Sequence, residues 1–220
     1  MELYDVMRTT FAARDFTDEE IGDDVISRIL DNARFAPSGG NRQGWKVIVI
    51  RDAGTKEALA PLIVPTFRRY IAQVAAGEAP WNTIDATRLT EAEIEATAVP
   101  MDMVRKICGA PVVLMVLVDL SVVASFDSQL DRVGVISGAS VYPFVWNILL
   151  SARNEGLGGT LTTFAGGRED DLKALLNIPS EFAFAAMIPL GKPVKQLTRL
   201  SRKPVEAFAV SERFDGPVFG

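Results

Sequence analysis

APSGGNRQGW, residues 36–45, runs straight into the apolar string Val47–Ile50, and an amphipathic helical pattern leads up to it. The order is helix, tight polar turn, strand. Within residues 38–43 the turn gathers Ser38, Gly39, Gly40, Asn41 and Gln43, which leaves the backbone open to a polar, planar ligand. Pro-Ser-Gly-Gly-Asn is also ordinary turn chemistry, because glycine supplies positive φ and asparagine tolerates it. The rest of the chain has to decide between these readings.

On the N-terminal side, residues 1–10 are helix-like with Leu3, Val6 and Met7 on one side, and Phe16 follows as an apolar anchor. Thr17–Glu20 (TDEE) predicts the start of a helix whose apolar face is Val25, Ile26, Ile29, Leu30 and Ala33. On the C-terminal side, residues 52–76 predict a helical stretch interrupted by Pro61 and Pro65. Residues 67–100 form a surface excursion or lid, without a clean period from Gly77 to Pro100, where Trp81 is either a plug for the loop or a cover over a ligand.

Ala110–Leu120 (APVVLMVLVDL) predicts a central strand covered on both faces. Asp131–Glu155 predicts the longest helix, apolar nearly all round, ended by a glycine cap in Gly156–Gly159. Thr160–Phe164 (TLTTF) and Phe182–Leu190 predict strands, with a helix over Arg168–Asn177 between them. The tail, residues 195–220, carries SRKP at Ser201–Pro204 and three phenylalanines, Phe208, Phe214 and Phe219, which an isolated tail would leave in water. Few strands among many helices predict one domain with a three-layer α+β fold and a small mixed sheet.

The formal charge is −5, from 23 basic and 28 acidic residues, which argues against a nucleic-acid partner. Histidine is absent, which removes imidazole-dependent triads and most transition-metal sites. Cys108, the single cysteine, precedes an apolar strand and reads as a structural thiol. No signal peptide or membrane span is expected, so the default expectation is a soluble, cytoplasmic protein. A mean hydropathy of +0.18 suggests extra buried area, such as a subunit interface. Catalysis in such a chain leans on a cofactor, carboxylates, Arg or Lys. The dinucleotide fingerprint GxGxxG follows no predicted strand.

Four segments in order, Arg14-Asp15-Phe16, APSGGNRQGW, GLGGTLTTF and LGKP with SRKPVE, resemble the nitroreductase family of FMN-dependent oxidoreductases. The resemblance implies a three-layer α/β/α fold and a homodimer with an exchanged C-terminal tail, with FMN at the interface touched by both chains. It places Arg14, Pro37, Ser38, Gly39 and Asn41 against the flavin, Thr162, Thr163 and Phe164 at its N5 edge, and Arg202 and Lys203 at its phosphate. Thr10, Phe11 and Ala12 stand where the family usually has Arg-Arg-Ser, so part of the phosphate or ribityl clamp is lost or replaced by Thr10, with Arg8 as a further candidate. Gly44 replaces a common proline and Trp146 a common amide.

The implied chemistry is ping-pong: NAD(P)H reduces FMN, and a nitroarene or quinone-like small-molecule acceptor then takes the electrons. Trp81, Phe126, Tyr142 and Phe144 are candidate stacking partners for substrate. Reduction of an activated alkene, oxidation of a metabolite, and a non-catalytic flavin sensor or store are the competing expectations. A deiodinase-type tyrosine and lysine grip is not recognisable in the sequence.

Overall fold

The computed structural model describes residues 1–220. Its centre is the buried strand read from the sequence. Strand β1 (Trp45–Ile50) pairs antiparallel with β2 (Val112–Asp119), β2 with β4 (Phe182–Gly191), and β4 with the short β3 (Gly158–Gly159), in the order β1-β2-β4-β3. All four strands pair antiparallel; the parallel contact expected of a mixed sheet is the single bridge between Ala12 and Gly159.

Because side chains alternate along a strand, β2 feeds two cores. Val112, Leu114, Val116 and Val118 face α2 (Asp23–Ala33) and α6 (Tyr142–Asn154). Val113, Met115 and Leu117 face α3 (Ala53–Ala75), α5 (Met101–Cys108) and α7 (Glu169–Leu176). The result is the expected three-layer α/β/α sandwich. Helix α1 (Leu3–Thr9) packs on α6 and buries Val6, and the short α4 (Glu91–Glu95) packs on α3. Cys108 is buried in the α5 core, and burial pushes its thiol up to about 11, which keeps it protonated and structural.

Several boundaries differ from expectation. Helix α2 begins after Gly22 rather than at TDEE, because residues 15–17 are drawn into extended pairing with residues 192–194. The acids that meet its N-terminus are Asp23 and Asp24. Helix α3 is the longest, and it is not interrupted: it runs through Pro61 and Pro65 over 23 residues. Both prolines are exposed, as is Glu57, so the carbonyls of Glu57 and Pro61 that lose a donor belong to residues open to water.

Helix α6 starts only at Tyr142, with Pro143 in its first turn; residues 131–135 instead wrap the Asp127 carboxylate. The strand expected over TLTTF shrinks to a bridge between Thr162 and Met187, and Phe164 opens a 3-10 turn. The ladder sits earlier, at Gly158–Gly159, where a side chain on Gly159 would lie 2.8 Å from the Pro189 carbonyl. In the tail, Phe208, Phe214 and Phe219 are 71%, 100% and 60% exposed, so the chain does not bury them on its own domain. No helix is long and apolar enough to cross a membrane.

Candidate functional site

A cavity of about 560 Å³ opens on the α3 side of the sheet, and its size suits a small-molecule ligand. Arg14, Trp81, Thr162, Thr163 and Phe164, named from the sequence, all line it. Each arrives by a different element. Arg14 comes on the extended segment held by the Ala12–Gly159 bridge; Thr162 and Thr163 come from the irregular chain between β3 and the 3-10 turn. Phe164 packs at 4.8 Å from the Phe67 ring and meets Tyr70 edge-on at 5.6 Å.

Thr162 sits in the wall of the cavity. It is 92% buried, and its hydroxyl has no hydrogen-bond partner although its backbone N–H and C=O side are tied to Met187. An orphaned polar group in a dry wall costs free energy unless a ligand satisfies it. Arg14 is the one charged residue of the lining and has no carboxylate within ion-pair distance. The cavity therefore offers an unneutralised guanidinium between aromatic walls, with the unused Thr162 hydroxyl sealed inside the wall.

Trp81 forms part of the roof. Its indole N–H donates to the Thr66 carbonyl at 3.2 Å, its backbone N–H donates to Gln73 Oε1 at 3.0 Å, and the Arg69 guanidinium lies 4.7 Å from its ring centroid. Glu78 latches the excursion behind it, accepting from the Thr87 hydroxyl at 2.7 Å and the Arg88 amide at 2.8 Å, and these bonds hold its carboxyl below the usual range. Trp81 is thus both plug and roof. Tyr70, Thr66 and the pair Gly166-Gly167 also line it, beside Pro80, Ile107 and Leu161, and were not singled out by sequence reading. A side-chain carbon at Gly167 would clash with Thr66 Oγ1, so the double glycine after TLTTF was the available signal for close approach.

The opening turn lies elsewhere. Pro37, Ser38, Gly39 and Asn41 sit beside Ser140 on the α6 side, where Ser140 Oγ accepts from the Gly39 amide at 3.1 Å. Gly40, Asn41 and Gln43 all have positive φ, near 62°, 53° and 51°, and the Ser38 hydroxyl accepts from the Gln43 amide at 2.9 Å. Asn41 is exposed and no turn residue lines the Arg14 cavity. At Gly44 a side-chain carbon would lie 2.6 Å from Val122, which accounts for glycine in place of proline.

The remaining candidates separate. Arg202 meets Arg8 and Arg199 around a second cavity of about 530 Å³; Lys203 is exposed and outside its lining. Thr10 is buried and its hydroxyl donates to the Val6 carbonyl, turned into the helix end. Phe126 is 89% exposed on the Asp127 loop, and Tyr142 donates from its hydroxyl to the Ala185 carbonyl at 3.3 Å. Phe144 corrects the substrate list: it is buried and stacks on Trp45 at 4.6 Å, inside the α6 core. A further cavity, about 640 Å³ beside α5, has its cations already neutralised, Lys106 by Asp15, Arg51 by Asp23 and Arg105 by Asp102.

This fold and cavity define a class, and comparison with known proteins names it. The Nitroreductase family matches residues 7–192, and the chain belongs to it. It is an oxidoreductase by that membership. An NADH dehydrogenase of Thermus thermophilus is 26% identical over 201 residues, covering 88% of this chain and 87% of that protein. The BluB-like flavoprotein of Clostridium difficile superposes with a TM-score of 0.70 at 23% identity, over 96% of this chain and 98% of the other. Oxidised iodotyrosine deiodinase bound to FMN and 3-iodo-L-tyrosine superposes with a TM-score of 0.66 at 23% identity, over 93% and 96%.

Proposed function

We propose that this chain is an FMN-dependent NAD(P)H oxidoreductase that reduces nitroaromatic or quinone-like acceptors, working as a homodimer. The observation that carries the reading is the unpaired Arg14 in an aromatic-walled cavity of a nitroreductase-family chain. A flavin fits that donor set: it presents hydrogen-bonding atoms along one ring edge, a polarisable planar face, and a phosphate for arginines. Bound FMN would supply the redox chemistry, taking a hydride from the nicotinamide and passing electrons to the acceptor.

The chain's own residues do the rest. Thr163, exposed in the lining, would meet the ring edge, and Thr162, tied through its backbone to Met187, would fix the register of that segment. Arg14, exposed at the cavity, would favour negative charge on the reduced ring. Trp81 and Tyr70 exclude water and offer flat surfaces against which an aromatic acceptor stacks. Protons come from solvent, so the lack of histidine is no obstacle. The turn Pro37–Asn41 faces away from this cavity in its own chain, so a second copy supplies it, and the exposed tail phenylalanines are what that copy would cover.

Purified protein should be yellow and, mixed anaerobically with NADPH or NADH, should bleach rapidly near the flavin band at about 450 nm. A protein that stays colourless and cannot be reconstituted with FMN overturns the reading. Flavin that stays oxidised with both nicotinamides turns it towards a sensor or store, and turnover with an activated alkene alone changes the acceptor class.

A further inference from the structure

The Arg-Arg-Ser clamp that the family resemblance leads one to expect is absent, and the structure explains why its nearest replacement cannot serve. Thr10 spends its hydroxyl on the Val6 carbonyl at 2.7 Å, while Phe11 and Ala12 carry no polar side chain. Three arginines instead converge nearby. Arg8, on the last turn of α1, and Arg199 and Arg202, on the tail, line one cavity of about 530 Å³ that no acidic residue joins. In a chain with more acids than bases, none of the three has a carboxylate within ion-pair distance; Arg202 donates only to its neighbour's carbonyl, at Ser201. Like charges gathered on one concavity without a counter-charge repel each other until an anion enters.

The placement is anchored. Gln196 Nε2 donates to the Thr9 carbonyl at 3.0 Å, which docks the start of the tail beside the end of α1. From there the chain runs through the Ala12–Gly159 bridge to Arg14 in the first cavity. Arg8 and Arg14 are six residues apart in sequence, so at most about 20 Å of extended chain links the two cavities. A ligand with a planar head at Arg14 and an anionic end at Arg8 would lie along this segment.

Resting on the flavin reading, we propose that Arg8 and Arg199 join Arg202 in a relocated clamp for a phosphate monoester dianion, taking over from the missing Arg-Arg-Ser. Guanidinium forks match phosphate oxygens bidentately, and three of them suit a dianion better than one flexible ammonium. Two sources carry that chemistry, the 5′-phosphate of FMN and the 2′-phosphate of NADPH.

The test compares apoprotein affinities for FMN and riboflavin, followed by flavin fluorescence, in wild type, Arg8→Ala and Arg199→Ala, with Arg105→Ala as a charge control. Each clamp variant should weaken FMN about tenfold or more while leaving riboflavin unchanged, as expected for losing a hydrogen bond to a charged group. A lost preference for NADPH over NADH, with FMN affinity intact, would keep the clamp and assign it to the nicotinamide. If neither changes, or if the control changes as much, the clamp is refuted. Should the apoprotein bind neither flavin, the cofactor reading falls by itself. Inorganic phosphate then still reads the clamp, by raising Tm in wild type and not in the variants if it exists, or equally in all three if it does not.

Discussion

The two faces of β2 are built alike and used differently. On the α6 side, Trp45 stacks on Phe144 at an interplanar angle of 2°, and the packing is closed. On the α3 side, the packing stops at Phe164 and leaves a cavity with an orphaned hydroxyl. The positive-φ turn belongs to the closed face, and Arg14 with Thr162 to the open one. Two groups of residues with the same implied ligand therefore lie on opposite sides of one sheet. A single copy cannot bring them together, whereas two copies, each lending its turn to the other, can.

Complementation breaks or sharpens this most directly. Arg14→Ala and Asn41→Gly should each abolish turnover in a pure dimer, glycine keeping the positive φ that Asn41 adopts. Co-refolding the two inactive chains should restore activity, because each mixed dimer has one site built from an intact cavity and an intact turn. A mixture that stays inactive would place both groups in the same site of the same chain.

Adjacent residues on β2 offer the next contrast. Leu114→Ala and Met115→Ala, both fully buried, should each cost roughly 2–5 kcal/mol in denaturant unfolding. Only Met115→Ala, whose void opens into the core that carries Phe164, should also weaken flavin binding. Equal effects on binding would mean the faces are not independent. Gly167→Ala comes next, with a loss of about 1–3 kcal/mol, since its new carbon meets Thr66 on α3 and must push the turn away from the helix.

How much of this was legible depended on whether a residue's role is set locally. The run Val112–Val118 could be read as doubly covered because continuous apolarity in a strand has one cheap explanation. The apolar faces of α2 and α7 follow from period alone. What failed were boundaries settled by distant partners. TDEE looked like a helix start, but residues 15–17 pair with residues 192–194. Asp131–Val135 looked helical, but an Asp127 carboxylate gathers the Val135 and Ile136 amides and breaks the period. Among the cavity-lining residues, motif resemblance points to Arg14 and Thr162, whereas Arg199 has no local signature, because a basic tail residue gains a partner in a cavity only when Arg8 is brought opposite it.

Thr162→Val gives a smaller effect with a diagnostic sign. Removing a buried hydroxyl that no protein group satisfies should stabilise the apoprotein by about 1 kcal/mol, read as a higher unfolding midpoint. The same change should leave FMN binding unaltered, because the hydroxyl lies sealed in the cavity wall and out of a ligand's reach. Destabilisation of the apoprotein would mean the hydroxyl already has a partner and the cavity is closed like the opposite face.

The smallest effect is local and separates the two latched loops. Glu78 holds the excursion through Thr87 and Arg88, and Asp127 holds its loop chiefly through the Val135 amide, then Arg132 and Ile136. These bonds keep each carboxyl below its ordinary value, 4.5 for Glu78 and 3.8 for Asp127. A carboxyl depressed in the folded state stabilises fully above its unfolded value, and that contribution is lost as pH falls through the folded one. On acidification each latch should therefore weaken as pH falls below these ordinary values, with the two cores intact. Hydrogen exchange of the Arg88 and Val135 amides, corrected for intrinsic rates, should show both losing protection, and Glu78→Gln should remove the pH-dependent loss at Arg88 alone. An Arg88 amide that keeps its protection on acidification would mean that Trp81 and its contacts to Thr66 and Gln73, rather than the carboxylate, hold the roof of the open face.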